Sequence, residues 1–394
     1  MKKILLVGNG FDLAHNLPTK YEHFLFILKN WSEFQQKIEL FKSGKEIEKN
    51  DKFYTYFVNI KSFNDANLEQ LDFIIKNNSW IKYFCQCEAE IDGWIDFEKE
   101  IYPVIELFEQ IIGSNYEMGR YVRTEDTNAY IDKRLFSYKM LRIAELWKKY
   151  IRVSVVEDVL YVIPPFTSKR YGILKKKIIQ SLRDEFDDFI KAFEIYLYEF
   201  VYKREEIKKL SQITEIGINK VISFNYTHTE ELYGIYDENI HHIHGMLRKN
   251  LDKGNSNIVM GLNEHHEQNI DFIYFVKYFQ RIQRATGVRY KQFVENYLIT
   301  DYGETYREEF ELYIYGHSLD ETDEDILKFV IGDINANGNI RFKPEKITIF
   351  YYDPTDYEQK VINLIKLYGR NIVEENMEKK MFDFVKIVDE NEGC

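Results

Sequence analysis

The stretch that decides the fold is KKILLVGNGFD, residues 2–12. Ile4, Leu5, Leu6 and Val7 form an unbroken apolar run, the pattern of a strand buried on both faces of a parallel sheet. Gly8-Asn9-Gly10 ends the run, and Phe11-Asp12 follows. Two glycines here let the backbone turn tightly and bring its N–H groups up to a phosphate. The alternative is a turn that only joins strand to helix. The usual dinucleotide fingerprint has a third small residue at the place of Leu13. Thr19 and Glu22 then read as a capping box. Phe24, Leu25, Ile27, Leu28, Trp31 and Phe34 follow at helical spacing. Strand, glycine loop and helix open an α/β nucleotide-binding unit.

Lys2 and Lys3 before an apolar run also suggest a secretory leader. Four apolar residues fall well short of the roughly 7–15 that a leader needs. No stretch approaches the ~20 apolar residues of a membrane span. The expectation is a cytoplasmic protein with no membrane partner.

The chain has 394 residues, 45% hydrophobic and 30% charged, enough for two domains or one large elaborated one. Aromatic residues reach 16% while Pro numbers only 6, which favours long helices. The net charge of −12 repels a phosphodiester backbone, so bulk nucleic-acid binding is not expected. Three cysteines, Cys85, Cys87 and Cys394, contain no C-x-x-C pair. A Cys-rich structural zinc site is therefore excluded, and a reduced compartment fits.

Residues 35 to 215 read as mainly helical, with long periodic stretches at 96–112, 133–150 and 174–207 and one β-rich exception at 153–163. Strand patterns return at 220–224, 240–244, 258–261, 312–315 and 347–352, with helices at 228–236, 269–285, 321–331 and 356–368 between them. Such alternation argues for a parallel sheet with helices on both faces. The expected organisation is an α/β domain from residues 1–34 and 216–394, interrupted by a mainly helical insertion, 35–215.

Four loops then carry candidate chemistry. Gly8 to Asp12 is the first. The second is Ser223-Phe224-Asn225-Tyr226-Thr227-His228, at the carboxyl end of a strand, where ligands gather in open α/β sheets. Asn225 offers a donor and an acceptor for a ribose hydroxyl or a water, or else caps the following helix. His241-His242-Ile243-His244-Gly245 closes the next strand. His244 is a natural general base, or a satisfied structural histidine. A metal set drawn from His242, His244, His265 and His266 has no characteristic spacing, and no metal is expected. The fourth loop is Gly316-His317-Ser318-Leu319, in which Ser318 and Glu321 suggest a second capping box before a run of acids, Asp320 to Asp325. Trp94, Asp96 and Glu98 read as core and capping residues, with Glu98 as an alternative closure over the site. Lys277, Arg281 and Arg284 share a helix face with Gln280 beside them, either solvated or in contact with an anion.

Taken in order, these loops resemble the AbiH family of bacterial abortive-infection, anti-phage proteins. The opening Gly8-Asn9-Gly10-Phe11-Asp12, with Leu17-Pro18-Thr19 and Tyr21, is similar to that family's N-terminal signature. Trp94-Ile95-Asp96-Phe97-Glu98, Phe224-Asn225-Tyr226-Thr227, Ile243-His244-Gly245 and Tyr315-Gly316-His317-Ser318-Leu319 are similar to its later blocks. AbiH-like sequences in turn resemble the sirtuin-like (SIR2) superfamily, which implies a Rossmann-like sheet that binds NAD. That resemblance implies Asn225 against the nicotinamide ribose and a water, and His244 as catalytic base nineteen residues on. It also implies Gly8, Asn9, Gly10, Phe11, Asp12 and Thr227 around the dinucleotide, with Gly316, His317 and Ser318 on the adenosine half. The chain departs from sirtuins at Asp12, where they carry a small hydroxyl residue, and at Thr227, where they often carry Asp. Having only three cysteines, it resembles the zinc-free defence effectors more than the deacetylases.

The resulting expectation is a cytoplasmic defence protein that cleaves the nicotinamide–ribose bond of NAD. A phage-encoded trigger and self-association are its expected partners. Two rivals stand beside it. One is a metal-dependent nuclease or phosphodiesterase using His244, His265, His266 and the acids from Asp320 to Asp325. The other is a nucleotide-sensing module without turnover.

Overall fold

A computed structural model describes residues 1–86, 97–117, 129–132, 146, 149–154, 159–162, 166–168, 172–262, 270–295, 298–301, 304–307, 309–334 and 340–388. The chain divides into two compact units. The first comprises residues 1–19, 201–259 and 281–394, and the second residues 20–200 and 260–280. The helix carrying Phe24 thus belongs to the second unit, whereas the expected boundary lay at residue 34. Residues 201–215 belong to the first unit, and the segment 260–280 returns to the second.

The first unit is built on six strands, β1 (Lys2–Val7), β2 (Lys220–Ser223), β3 (Ile240–His242), β4 (Phe310–Tyr315), β5 (Lys346–Tyr351) and β6 (Phe382–Lys386). All pair in parallel, in the order β6-β5-β4-β1-β2-β3. This is the order of a doubly wound, Rossmann-like α/β fold. β1 is central, with Ile4, Leu5, Leu6 and Val7 all 0% exposed. Its side chains alternate between two cores. Ile4 and Leu6 pack with Leu312, Ile314, Ile347 and Ile349, whereas Leu5 and Val7 pack with Phe11, Val221, Tyr315 and Phe350. Burying each such side chain stabilises the fold by roughly 1.5–3 kcal/mol, which explains the absence of polar alternation. Helices cover both faces. α1 (Asn9–Ala14) brings Phe11 to one; α2 (Glu324–Ile331), α3 (Pro354–Tyr368) and α4 (Arg370–Glu378) bring Leu327, Leu364 and Val373 to the other.

Several local expectations need correction. Residues 258–261 form no strand, and β6 has no counterpart among the expected strands. The expected strand at 153–163 is a pair, Ile151–Ser154 and Val159–Val162, joined antiparallel. The expected helix at 228–236 is a single 3-10 turn, Thr229–Tyr233. Neither capping box forms. Thr19 Oγ1 donates instead to Asn9 Oδ1 at 2.6 Å, and Lys20 stands at the N-cap of the helix Tyr21–Lys29, its backbone N–H donating to His23 Nδ1 at 3.3 Å. Ser318 is exposed, and Asp320 accepts from the Thr322 N–H at the start of the following 3-10 turn. The expected helix at 133–150 lies almost wholly outside the described residues.

The second unit accounts for much of the aromatic content. Helices Tyr21–Lys29, Trp31–Lys42, Ser79–Gln86 and Lys175–Leu197 meet through rings. Phe24 lies 5.2 Å from Phe193 and 5.1 Å from Tyr196, Phe34 5.1 Å from Phe53, and Trp80 5.1 Å from Phe186. Tilted and edge-on pairs of this kind add about 0.5–1.5 kcal/mol each beyond their burial. The returning segment is held by Gln280, whose side chain bonds both the N–H and the carbonyl of Met260.

Candidate functional site

In doubly wound sheets the ligand crevice lies at the carboxyl ends of the strands, where the strand order reverses. Here that point is between β1 and β4; the segments following them are Gly8–Phe11, which turns into the start of α1, and the loop Gly316–Leu319. These loops touch through their backbones. The Gly8 N–H donates to the Tyr315 carbonyl at 3.1 Å and the Gly10 N–H to the Gly316 carbonyl at 2.9 Å. A Cβ on Gly10 would lie 2.6 Å from the Gly316 Cα, and one on Gly316 only 2.2 Å from the Phe11 nitrogen. The glycines are thus needed for loop-to-loop packing. The N–H groups of Gly8, Gly10 and Phe11 are all engaged within the chain, Phe11 with the Gly8 carbonyl.

Beside this contact sits Asp12, 1% exposed. Thr227 Oγ1 donates to its Oδ2 at 2.7 Å, and Thr229 Oγ1 lies 3.2 Å from Thr227 Oγ1. Its Oδ1 is buried without a hydrogen-bond partner. Burial pushes the Asp12 carboxyl up to about 7, the hydroxyls of Thr229 and Thr227 pulling down against it and the charge of Glu230 pushing up. A carboxyl titrating there can give or take a proton at neutral pH. Asn225 is clamped on the same edge. Its Nδ2 donates to the Gly8 carbonyl at 3.0 Å, and its own carbonyl accepts from His242 Nδ1 at 2.9 Å.

A second group lies past β2, β3 and β4. His244 Nε2 is 3.2 Å from Asp323 Oδ1, and His317 Nε2 is 3.7 Å from Oδ2 of the same carboxylate. The Leu319 N–H donates to His317 Nδ1 at 2.9 Å, so the ring's proton sits on Nε2, facing Asp323. Burial pushes His317 down to about 4, keeping it neutral. The Phe224 ring packs against both imidazoles, 4.3 Å from His317 and 5.5 Å from His244 between centroids. Asp323 accepts from the Nε2–H of His244, which leaves the buried Nδ1 as the ring's basic atom; a carboxylate can orient a general base from this side too, with the ring turned over relative to the Ser-His-Asp arrangement.

A third group joins the loop after β2 to β3. One ligand-type atom each of His228, Glu230 and His242 lie within 4.8 Å of one another. Alternation along β3 separates His241, stacked on Tyr290, from His242, which faces Asn225 and Glu230.

The family model for "Bacteriophage abortive infection AbiH" matches residues 4–343, which include every loop described above. The chain belongs to the AbiH family. That membership places it in abortive-infection defence against bacteriophage. No curated protein and no solved structure matches the chain. Among the described residues of this AbiH protein, no helix is long and apolar enough to cross a membrane.

Of the residues singled out from the sequence, Gly8, Gly10, Phe11, Asp12, Asn225 and Thr227 converge at the ends of β1 and β2. His244, His317 and Gly316 lie along the same carboxyl edge. Asn9 is held by Thr19, and Ser318 offers its carbonyl to Asn363 Nδ2 at 2.9 Å. The basic stripe does not form a solvated face. Lys277 and Gln280 are buried within the second unit. In the first unit Arg281 pairs with Asp325 at 3.4 Å, and Arg284 donates to the Ile258 carbonyl at 2.5 Å. His265, His266, Trp94 and Asp96 lie outside the described residues, and the Glu98 side chain is likewise not described.

Sequence reasoning missed three features. Asp323, the partner of His244, stood undistinguished in an acidic run. Thr229 beside Asp12 and the grouping of His228 with Glu230 also went unread. The last had a partial signal, because His228-x-Glu230 lies in the loop that follows β2 and His242 ends the neighbouring β3, opposite Ser223.

Proposed function

We propose that this AbiH protein is an abortive-infection effector that binds NAD at the carboxyl edge of its α/β unit and hydrolyses the nicotinamide–ribose bond. The reading rests most on the His244–Asp323 pair, which stands on the same sheet edge as Asn225 and Asp12 in a doubly wound fold. The similarity of the loop order to SIR2-like proteins supports it further. The bond between the ribose C1′ and the nicotinamide nitrogen breaks through an oxocarbenium-like state, so the ribose must be held rigidly with a water beneath it. Asn225, fixed by Gly8, orients that water. His244, oriented by Asp323, takes its proton as the new C1′–O bond forms, and neutral nicotinamide leaves. Asp12, titrating near neutrality, is a second proton-transfer group on the ribose side. Loss of NAD then arrests the infected cell.

Cells expressing the protein are challenged with phage, and NAD and nicotinamide are followed. The expected result is NAD loss with wild type, and a rate lower by about a hundredfold with His244→Ala, the lower range for removing a general base. Equal NAD loss in the two strains, or growth arrest with NAD intact, overturns the reading. The engagement of the Gly8, Gly10 and Phe11 N–H groups favours one alternative, a nucleotide sensor without turnover. Stabilisation of the purified protein by ADP-ribose without any nicotinamide release would select it.

A further inference from the structure

We propose that His228, Glu230 and His242 hold one first-row divalent transition-metal ion, zinc being the best match to the donor set. Glu230 is 1% exposed, and neither of its carboxylate oxygens accepts an aligned hydrogen bond. His242 Nε2 lies 2.9 Å from Oε1 but out of alignment. A carboxylate taken out of water without donors is costly unless a cation or proton answers it.

The two imidazoles show where that answer comes from. His242 Nδ1 is 2.9 Å from the Asn225 carbonyl, and His228 Nε2 is 2.7 Å from the Leu247 carbonyl. A carbonyl only accepts, so each of these nitrogens carries the proton. Each ring, once its other nitrogen gives up a proton, presents a lone pair there, at His242 Nε2 and His228 Nδ1. In the metal-free site the charge of Glu230 favours a proton on His242 Nε2, and a metal ion would take that proton's place. Metal-bound histidines are oriented in this way, with the second nitrogen donating to a backbone carbonyl. The bare Nε2 faces Glu230, and the bare Nδ1 lies 3.2 Å from Glu231 Oε1, which Lys249 also holds at 2.8 Å. With the second proton gone, the lone pairs of His242 Nε2 and Glu230 Oε1 face each other, and one cation binds both together with His228 Nδ1, Glu231 staying with Lys249. The separations, from 2.9 Å up to 4.8 Å, bracket the donor spacing of about 3.3 Å that tetrahedral bonds of 2.0–2.1 Å require. Two imidazoles and one carboxylate suit zinc, cobalt or iron better than magnesium or calcium. Three protein ligands leave a fourth position for water. The ion would pin the loop after β2 to β3 and, through His242, position the Asn225 backbone.

This inference stands apart from the reading of NAD cleavage, which places no metal at the reacting bond. The full-length protein, purified without chelator, is assayed for metal by mass spectrometry. It is then stripped with EDTA and titrated with Zn²⁺ and Co²⁺. About one equivalent of metal and a visible d–d band with Co²⁺ are expected. Glu230→Gln and His242→Ala should each weaken Zn²⁺ binding by at least about a hundredfold, and His244→Ala should retain it. Should a variant fail to fold, the wild-type titration alone decides. A folded wild type that binds no Zn²⁺ and gives no cobalt band overturns the site, leaving a protonated His242–Glu230 ion pair. Full Zn²⁺ affinity in folded Glu230→Gln overturns it as well. A metal-binding protein that leaves NAD intact would sink only the NAD reading.

Discussion

Gly316→Ala is expected to lower the stability of the α/β unit by about 4 kcal/mol, the upper range for a single substitution. Two penalties add. Gly316 has φ +67°, where a side chain costs roughly 1–2 kcal/mol. The new Cβ would also stand 2.2 Å from the Phe11 nitrogen and 2.4 Å from the Gly10 carbonyl carbon. Both atoms are backbone in the first turn of α1, directly after the central strand, so neither can turn aside as a side-chain tip would. Separating the loops breaks the Gly10–Gly316 hydrogen bond, and overpacking of this kind typically costs 1–3 kcal/mol or more. Gly217→Ala is the control, because its φ of +70° and ψ of 59° are left-handed and nothing lies within 4 Å of the added methyl. It should lose only the conformational part, about 1–2 kcal/mol. Urea denaturation of both variants separates the contributions. Equal shifts in midpoint would show that the loops part without penalty.

Acidification from pH 6.5 to about 4 is expected to remove about 3 kcal/mol of stability through His317 alone. Burial is the main cause, opposed by Asp323 and reinforced by Lys360 and His244. The native ring binds its proton only near pH 4, whereas the unfolded ring takes one near 6.5. Between these values the unfolded state holds more protons, so stability rises with pH. The contribution is full above 6.5 and lost as pH falls through 4. His317→Asn keeps an oxygen that can accept from the Leu319 N–H but cannot be protonated. Its stability profile should be flatter than wild type by about 3 kcal/mol across this window. Asp12, raised to about 7, tilts the profile the other way, but it does so in both proteins and cancels in the difference. Parallel profiles would mean that the His317 ring is solvated.

The readable parts of the fold share one property, that their pattern is local. β1 could be recognised because both of its faces are buried, leaving no polar position in four residues. β6 escaped because it lies at the edge of the sheet, and its Phe382-Asp383-Phe384-Val385-Lys386 is mostly half-buried. Residues 258–261 misled for the opposite reason. Ile258, Val259 and Met260 are 0% exposed, yet no sheet partner receives them. The Val259 N–H instead meets the His244 carbonyl at 2.7 Å, and the Ile258 carbonyl takes Arg284. Apolar patterning reports burial, and burial alone does not distinguish a ladder from a loop whose backbone groups find scattered partners.

From the order of residues alone followed the α/β class, the central strand, the glycine turns and the loops that carry AbiH character, because each is written in neighbouring side chains. Which groups meet was decided only in three dimensions. Asp323 comes to His244 from 79 positions away, and Thr227 reaches Asp12 across 215. Parallel strands deliver their carboxyl ends to one edge whatever the length of chain between them, so the partners there are set by strand order and register rather than by spacing. Protonation follows the same division. Asp12 is an ordinary carboxylate until the fold removes its water, and only then does it titrate near neutrality.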